Sequence, residues 1–158
     1  MKMKSNVMET VYARARAAHK TVVLPEADDV RTVTAAARIV REGLAEVVLV
    51  SPLWKIEAAA KEAGADISGC RIVDPTTSPE RDRFAAMLLD LRRHKGMTEE
   101  KAAQLVLDPL FYGCLMVHEG EADGQVSGAT HSTADTIRRA ISCKRVRPRS
   151  SRMRSSAR

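Results

Sequence analysis

Residues 21–50 read TVVLPEADDVRTVTAAARIVREGLAEVVLV, and this segment determines the fold class. A β-branched run, Thr21–Glu26, opens it, and the apolar run Glu46–Val50 closes it, so each end predicts a short buried strand. Between them, apolar residues at helical spacing predict a helix from about Asp29 to Glu42, which Gly43 ends. Strand, helix and strand in this order predict two parallel strands joined by a helical crossover.

The same alternation continues on both sides of this segment. A helical pattern precedes it at Asn6–Lys20, and further helices and one strand follow it. These later elements are a helix through Ser51–Ala63, a strand at Arg71–Asp74, and helices that begin near Ser78, Thr98 and Asp108, with Thr98 as an N-cap. The alternation predicts an α/β fold, a three-layer α/β/α arrangement with a mainly parallel sheet in the middle.

Composition sets the size and character of the core. A chain of 158 residues is long enough for one domain with a hydrophobic core. Hydrophobic residues make up 44% of it but aromatic residues only 3%, so the core must consist of aliphatic side chains.

Ligands of such folds bind outside the carboxyl ends of the strands, and residues 123–139, DGQVSGATHSTADTIRR, have the pattern expected there. A short apolar approach at Gln125–Val126 leads into the small and hydroxylic residues Ser127–Thr133, and a helical pattern begins near Ala134. The first N–H groups of a helix are unpaired, its dipole is positive there, and hydroxyl groups add donors. The segment therefore predicts a site for a phosphate-bearing ligand.

The basic charge is confined to the end of the chain. The net charge is +6, but seven of the 26 Lys and Arg residues lie after Cys143 without any acid, which leaves 19 basic against 20 acidic residues elsewhere. We therefore predict an α/β domain at residues 1–141 and a disordered basic Ser/Arg tail at residues 142–158. A nucleic-acid binder acting through this tail is an alternative, but no aromatic stacking residues interleave its charges. The composition argues against nucleic acid as a partner.

Several other classes are excluded by missing patterns. Three cysteines without a CxxC pair argue against zinc, and the absence of a GxGxxG motif argues against a nucleotide cofactor. The N-terminus has no apolar signal core, and no run approaches the roughly 18 apolar residues of a membrane helix. We therefore expect a cytoplasmic protein with no membrane contact, no metal and no tightly bound cofactor.

Four motifs resemble those of the phosphotransacetylases, also called phosphate acetyltransferases. The motifs, which span roughly residues 6–141, are VVLPEADDVRTVTAA, LRRHKGMTEEKA at Leu91–Ala102, LDPLFYGCLMVHEGEADGQVSGA at Leu107–Ala129, and HSTADTIR at His131–Arg138. The resemblance implies reversible transfer of an acetyl group between coenzyme A and inorganic phosphate, with coenzyme A as a substrate. It also implies a two-domain fold with the active site in the cleft, of which this chain carries the first domain, and a homodimer.

The resemblance also implies roles for individual residues. Arg92 and Arg138 would contact coenzyme A and phosphate, because one guanidinium group can donate two parallel hydrogen bonds to phosphate oxygens. Arg138 would also have a catalytic role. Ser132 and Thr133 would line the phosphate pocket, and Ser127 and Gly128 would allow close approach of the backbone. From the residues alone, His131 is more consistent with a hydrogen-bonded structural group than with a general base, and Arg139 with an incidental surface residue.

The end of the chain departs from the family pattern. The family continues after TIR with a proline and an apolar run, whereas this chain reads TIRRAISCKRVRPRSS, which we interpret as a truncation or a shift of reading frame. The half of the family that supplies its catalytic Ser, Arg and Asp is then missing, so we expect little or no activity from this chain alone. The remaining alternatives are a phosphate butyryltransferase-like enzyme, a domain of the kind fused to malic enzymes, and a non-catalytic anion-binding module.

Overall fold

The computed structural model describes residues 7–143, in which a four-stranded parallel sheet lies between two layers of helices. The strands are β1 (Thr21–Leu24), β2 (Glu46–Val50), β3 (Arg71–Val73) and β4 (Gly124–Gln125). The helices are α1 (Val7–Ala18), α2 (Val30–Arg41), α3 (Leu53–Ala63), α4 (Arg81–Arg92), α5 (Glu99–Leu105), α6 (Pro109–Glu119) and α7 (Thr133–Ser142), with a short 3-10 turn at Arg93–Lys95. The predicted three-layer α/β/α class is confirmed.

The order of the strands creates a switch point between β1 and β4. The strands lie in the order β3-β2-β1-β4, and every pair is parallel. The chain moves outward from β1 to β3 and then returns to the opposite side of β1, where Val23 pairs with Gln125. In open α/β sheets, ligands bind at the carboxyl ends of the strands where the direction of winding reverses. The carboxyl ends of β1 and β4 are therefore the expected position of a site.

Alternation along the strands divides the core into two parts. In β2, Val48 and Val50 face a cluster formed with α4 and α6, whereas Val47 and Leu49 face a second cluster formed with α2 and α3. Such alternating burial on both faces is what a sheet covered by helices requires. Across residues 7–143, the buried aromatic rings of this core are those of Phe84, Phe111 and Tyr112, a small number that agrees with the composition.

Helix α6 packs tightly against the strand that leads to the expected site. Seven consecutive residues, Leu110–Met116, are buried. Gly113 permits this approach, because a Cβ atom there would collide with the Gln125 side chain and lie 2.8 Å from Val23 Cγ1. Asp108 caps the helix by accepting a hydrogen bond from the N–H of Leu110.

The predicted caps and boundaries agree with the structure with small shifts. Thr98 caps α5 and accepts a hydrogen bond from the N–H of Lys101 at 3.3 Å, as predicted. Helix α4 begins at Arg81 and not near Ser78, whose hydroxyl hydrogen-bonds with that of Tyr112 on α6. Among the described residues, no helix combines the length and the apolar character that a membrane crossing requires.

The start of the predicted tail was placed two residues too early. Ser142 is the last residue of α7, where its Oγ donates to the carbonyl of Arg138 at 2.8 Å, and Cys143 is buried in the cluster around α6. The composition of the tail could not reveal this, because the burial of Cys143 depends on contact with another helix. The rest of the predicted tail, residues 144–158, lies outside the described residues.

Candidate functional site

The carboxylate of Glu26 lies at the switch point and organises the loop that follows β4. Glu26 follows β1 and is only 2% exposed. Its Oε2 accepts hydrogen bonds from the N–H groups of Gly128 and Ala129, both at 2.7 Å. Its Oε1 accepts from the N–H groups of Thr130 and His131, both at 2.9 Å, and from Thr130 Oγ1 at 3.0 Å. Four consecutive backbone donors thus converge on one carboxylate.

These donors make Glu26 a strong acid. Burial by itself raises the pKa of this carboxyl group, but the hydrogen bonds from Thr130, His131 and Ala129 outweigh it and lower the pKa from 4.5 to about 2. The carboxylate is therefore charged at neutral pH. The negative charge that the loop binds is supplied by the protein itself.

The prediction for the loop requires a correction at Gly128. The loop does have the chemistry of a binding site for anionic oxygens, as the sequence predicted, and its conformation uses Gly128 at φ +113°, a value that favours glycine. However, the Gly128 N–H donates to Glu26, so it is not free for a phosphate group. Sequence reasoning missed Glu26, although an acid directly after a buried strand at the switch point was a usable signal.

The His131 side chain is hydrogen-bonded within this network. Its Nδ1 lies 2.8 Å from Glu26 Oε1 and donates to it in the tautomer that is protonated at Nδ1. Thr130 Oγ1 lies 3.2 Å from the same nitrogen. The imidazole is thus held by the network that closes the loop.

The backbone N–H groups that are available to a ligand lie just after this loop, in the first turn of α7. Ser132 is the N-cap, accepting a hydrogen bond from the Asp135 N–H at 3.1 Å and donating to Asp135 Oδ2 at 2.7 Å. Within residues 7–143, the N–H groups of Thr133 and Ala134 have no acceptor, and both residues are exposed. The first turn of α7 and the Thr133 hydroxyl are therefore available to an external anion, with Ser132 in the role of the cap.

The two neighbouring arginines of α7 have different environments. The Arg138 side chain is 77% exposed and lies 3.6 Å from Asp135 Oδ1, so it projects from the helix with a weak ion pair. Arg139 was expected to be incidental, but its Nε donates to Asp108 Oδ2 at 2.9 Å and its guanidinium lies 5.8 Å from the centre of the Phe111 ring. Arg139 therefore fixes α7 against α6, while Arg138 is free to contact a ligand.

Arg92 and Ser127 lie at the margins of this arrangement. Arg92 is the half-buried last residue of α4, and its charge acts on Cys143 at the end of α7 that is opposite the Thr133 turn. A ten-residue helix is about 15 Å long, so Cys143 and the Thr133 turn lie at opposite ends of α7. The Ser127 hydroxyl accepts a weak hydrogen bond from Gln125 Nε2 at 3.4 Å.

Arg31 contacts the loop that follows β4. Arg31, at the start of α2, donates from Nη2 to the Ala129 carbonyl at 2.9 Å and pairs with Asp29. It also borders an open groove of about 650 Å³ between α1, α2 and the β4 edge of the sheet, lined mainly by aliphatic side chains. The sequence patterns did not single out Arg31, because its contact with the loop joins residues 98 positions apart.

Comparison with known proteins agrees with this fold and these motifs. The family model described as phosphate acetyl/butaryl transferase matches residues 6–156. The chain belongs to this family. The phosphate acetyltransferase of Thermoanaerobacterium thermosaccharolyticum is 40% identical over 143 residues, and that of Acetivibrio thermocellus is 41% identical over 141 residues. The motifs had placed the end of the resemblance at about residue 141, so the family match continues further into the basic segment than expected.

The solved structures of family members extend this agreement to the fold. The EutD phosphotransacetylase of Staphylococcus aureus superposes with a TM-score of 0.79 at 29% identity, and a phosphotransacetylase from Streptococcus pyogenes with 0.81 at 31%. Each comparison covers 90% of this chain but 43% of the solved chain. The curated relatives named above show the same proportion, since the chain spans 43% and 42% of their lengths.

Proposed function

We propose that this chain supplies one wall of a phosphate acetyltransferase site, which transfers an acetyl group reversibly between coenzyme A and inorganic phosphate. The observation that carries the proposal is the open first turn of α7 at the switch point of the sheet. Two N–H groups, at Thr133 and Ala134, have no acceptor among the described residues, and they lie with the Thr133 hydroxyl beside a loop that Glu26 holds in place. Membership of the family supports the choice of reaction.

The charges around this turn suit a ligand with several phosphate groups. Arg138 projects from α7, and Arg31 contacts the loop. Planar guanidinium groups bind phosphate oxygens with paired hydrogen bonds, and the helix start favours an anion through its dipole. We assign Thr133 and Arg138 to the inorganic phosphate and its developing charge, and Arg92 and Arg138 to coenzyme A.

The reaction explains why such a wall is needed. Phosphate oxygen attacks the thioester carbonyl, the carbonyl oxygen becomes an oxyanion, and coenzyme A leaves as a thiolate. Positive charge and fixed donors stabilise the incoming phosphate and the negative charge that develops in the transition state. These interactions are strong only where water is excluded. The Thr133 turn and Arg138 are exposed in this chain, so the site requires a second wall to enclose it.

The names of the relatives favour acetyl, and not a longer acyl group, as the group that is transferred. The family model covers both acetyl and butyryl transferases, but the relatives named above are phosphate acetyltransferases. A chain of this length, with one wall exposed, is expected to show little or no turnover alone.

Complementation tests the proposed function. The chain is expected to release almost no thiol from acetyl-CoA and phosphate when assayed alone. Thiol release should appear when the separately expressed remaining part of the Thermoanaerobacterium relative is added, because the second wall then excludes water from the Thr133 turn. The measurement is spectrophotometric thiol release, with size-exclusion chromatography to establish that the two parts associate.

Two results would contradict the proposal. Clear turnover by the chain alone would refute the need for a second wall. An associated pair of parts without any turnover would refute the assignment of the Thr133 turn to an acyl-transfer site. Butyryl-CoA in place of acetyl-CoA distinguishes the acyl groups, and we expect the slower rate with butyryl-CoA.

A further inference from the structure

Two buried thiols outside the proposed site lie together at the junction of α6 and α7. Cys114 lies on α6 and is 9% exposed, and Cys143 follows α7 and is 4% exposed. Both belong to the same hydrophobic cluster, and neither forms a disulfide in this structure. The proposed function does not use either of them.

The backbone holds Cys143 over the face of α6 that carries Cys114. His118 lies four residues after Cys114, so both side chains project from the same face of the helix. His118 Nδ1 lies 2.8 Å from the carbonyl oxygen of Cys143. The N–H of Cys143 is in turn bonded to the last carbonyls of α7, including that of Arg139 at 3.2 Å. Cys143 is therefore fixed from both sides against the turn of α6 that contains Cys114.

The two thiols also influence each other's ionisation. The neighbouring Cys143 thiol lowers the pKa of Cys114, whereas the Cys114 thiol and burial raise the pKa of Cys143. Because the thiolate is the nucleophile in thiol oxidation, the lower pKa favours Cys114 as the sulfur that reacts first and Cys143 as the sulfur that resolves the product.

We propose that Cys114 and Cys143 form a reversible intramolecular disulfide when a small peroxide reaches the junction of α6 and α7. Cys114 sulfur attacks one oxygen of hydrogen peroxide, the O–O bond breaks, and the second oxygen leaves as water with the thiol proton. Cys143 sulfur then attacks the sulfenic sulfur of Cys114, the S–O bond breaks, and a second water leaves with the Cys143 proton. Two electrons pass from the sulfur atoms to peroxide, and one S–S bond forms.

The ring that this disulfide closes contains every open donor of the loop and of the first turn of α7. It runs from Cys114 through β4, the loop bound to Glu26, and α7 to Cys143, roughly 30 residues. A covalent link at the carboxyl end of α7 prevents this helix from separating from α6. Oxidation therefore stabilises the segment that carries Thr133 and Arg138.

Mass spectrometry of the whole chain tests the disulfide directly. After treatment with hydrogen peroxide and alkylation of free thiols, the wild-type chain is expected to lose two hydrogen atoms and to leave one alkylated cysteine, Cys70. A non-reducing digest should contain a peptide pair joined through Cys114 and Cys143. The thermal midpoint should rise by about 5 °C or more and return to its first value after reduction with dithiothreitol.

Two variants provide the matched comparison. Cys70→Ser removes the half-buried third thiol and should leave the disulfide yield and the thermal shift unchanged. Cys143→Ser lacks the resolving sulfur, so it should form no linked peptide and should leave Cys114 as a sulfenic acid that dimedone traps. Linkage through Cys70, no dimedone-labelled Cys114 in Cys143→Ser, or wild-type oxidation without a linked peptide would overturn the proposal.

Discussion

Replacement of Glu26 by alanine is expected to lower the free energy of unfolding by about 3 kcal/mol or more, the largest effect of any single side chain in this site. The four N–H groups that converge on the carboxylate lose their common acceptor, and the loop loses the contact that determines its shape. The lowered pKa of Glu26, which results from the same hydrogen bonds, corresponds to a similar value of roughly 3 kcal/mol. Urea denaturation followed by circular dichroism measures the change.

The control for this substitution is Glu46→Ala. Glu46 is an exposed acid at the start of β2 that accepts one hydrogen bond, from Thr21 Oγ1 at 3.2 Å. Its removal should change the free energy of unfolding by less than about 0.5 kcal/mol. If Glu26→Ala and Glu46→Ala have the same urea midpoint, the loop does not depend on Glu26.

The same contact predicts how stability changes with acid. The pKa of Glu26 is lower in the folded chain, about 2, than the ordinary value of 4.5, so its contribution is complete above about pH 4.5 and disappears as the pH falls towards 2. The difference in urea midpoint between the wild-type chain and Glu26→Ala should therefore narrow over this range. A difference that stays constant from pH 6 to pH 2 would show that the carboxylate charge is not what stabilises the loop.

Arg138→Ala is expected to lower turnover of the complemented enzyme by about 100-fold while leaving stability within about 0.5 kcal/mol. Arg138 is 77% exposed and has only a long ion pair with Asp135, so its removal costs the fold little. Its guanidinium is the exposed cation that follows the open first turn of α7. Thiol release with the added second part measures the activity, and urea denaturation of the chain alone measures the stability.

Its neighbour Arg139 is a matched control with the opposite outcome. Arg139→Ala removes a partly buried ion pair with Asp108 and a contact with the Phe111 ring, which should lower the free energy of unfolding by about 1–2 kcal/mol. Its effect on turnover should be small at temperatures at which the variant remains folded. Equal losses of turnover in the two variants would remove the distinction between a ligand-binding Arg138 and a structural Arg139.

The features that depend on periodicity were predictable. β-branched runs and helical spacing predicted β1, α2 and β2 to within a few residues, and the small-residue loop after β4 was correctly placed at the carboxyl ends of the strands. These patterns involve residues that are close together in the sequence, so they can be recognised without any tertiary information. The roles of Ser127, Ser132, Thr133, Arg92 and Arg138 remain predictions, which the variants and the complementation experiment address.

The sequence by itself determined the parallel α/β class, the loop with affinity for anionic oxygens and the family motifs, because these depend on residue type and local spacing. Only the tertiary structure decided which anion fills the loop, since Glu26 and Gly128 are 102 residues apart and meet through the return of the chain to β1. For the same reason, only the tertiary structure distinguished the exposed Arg138 from the packed Arg139 and placed Cys114 and Cys143 in one hydrophobic cluster. A contact between distant residues depends on the packing of whole elements, and no local pattern contains that information.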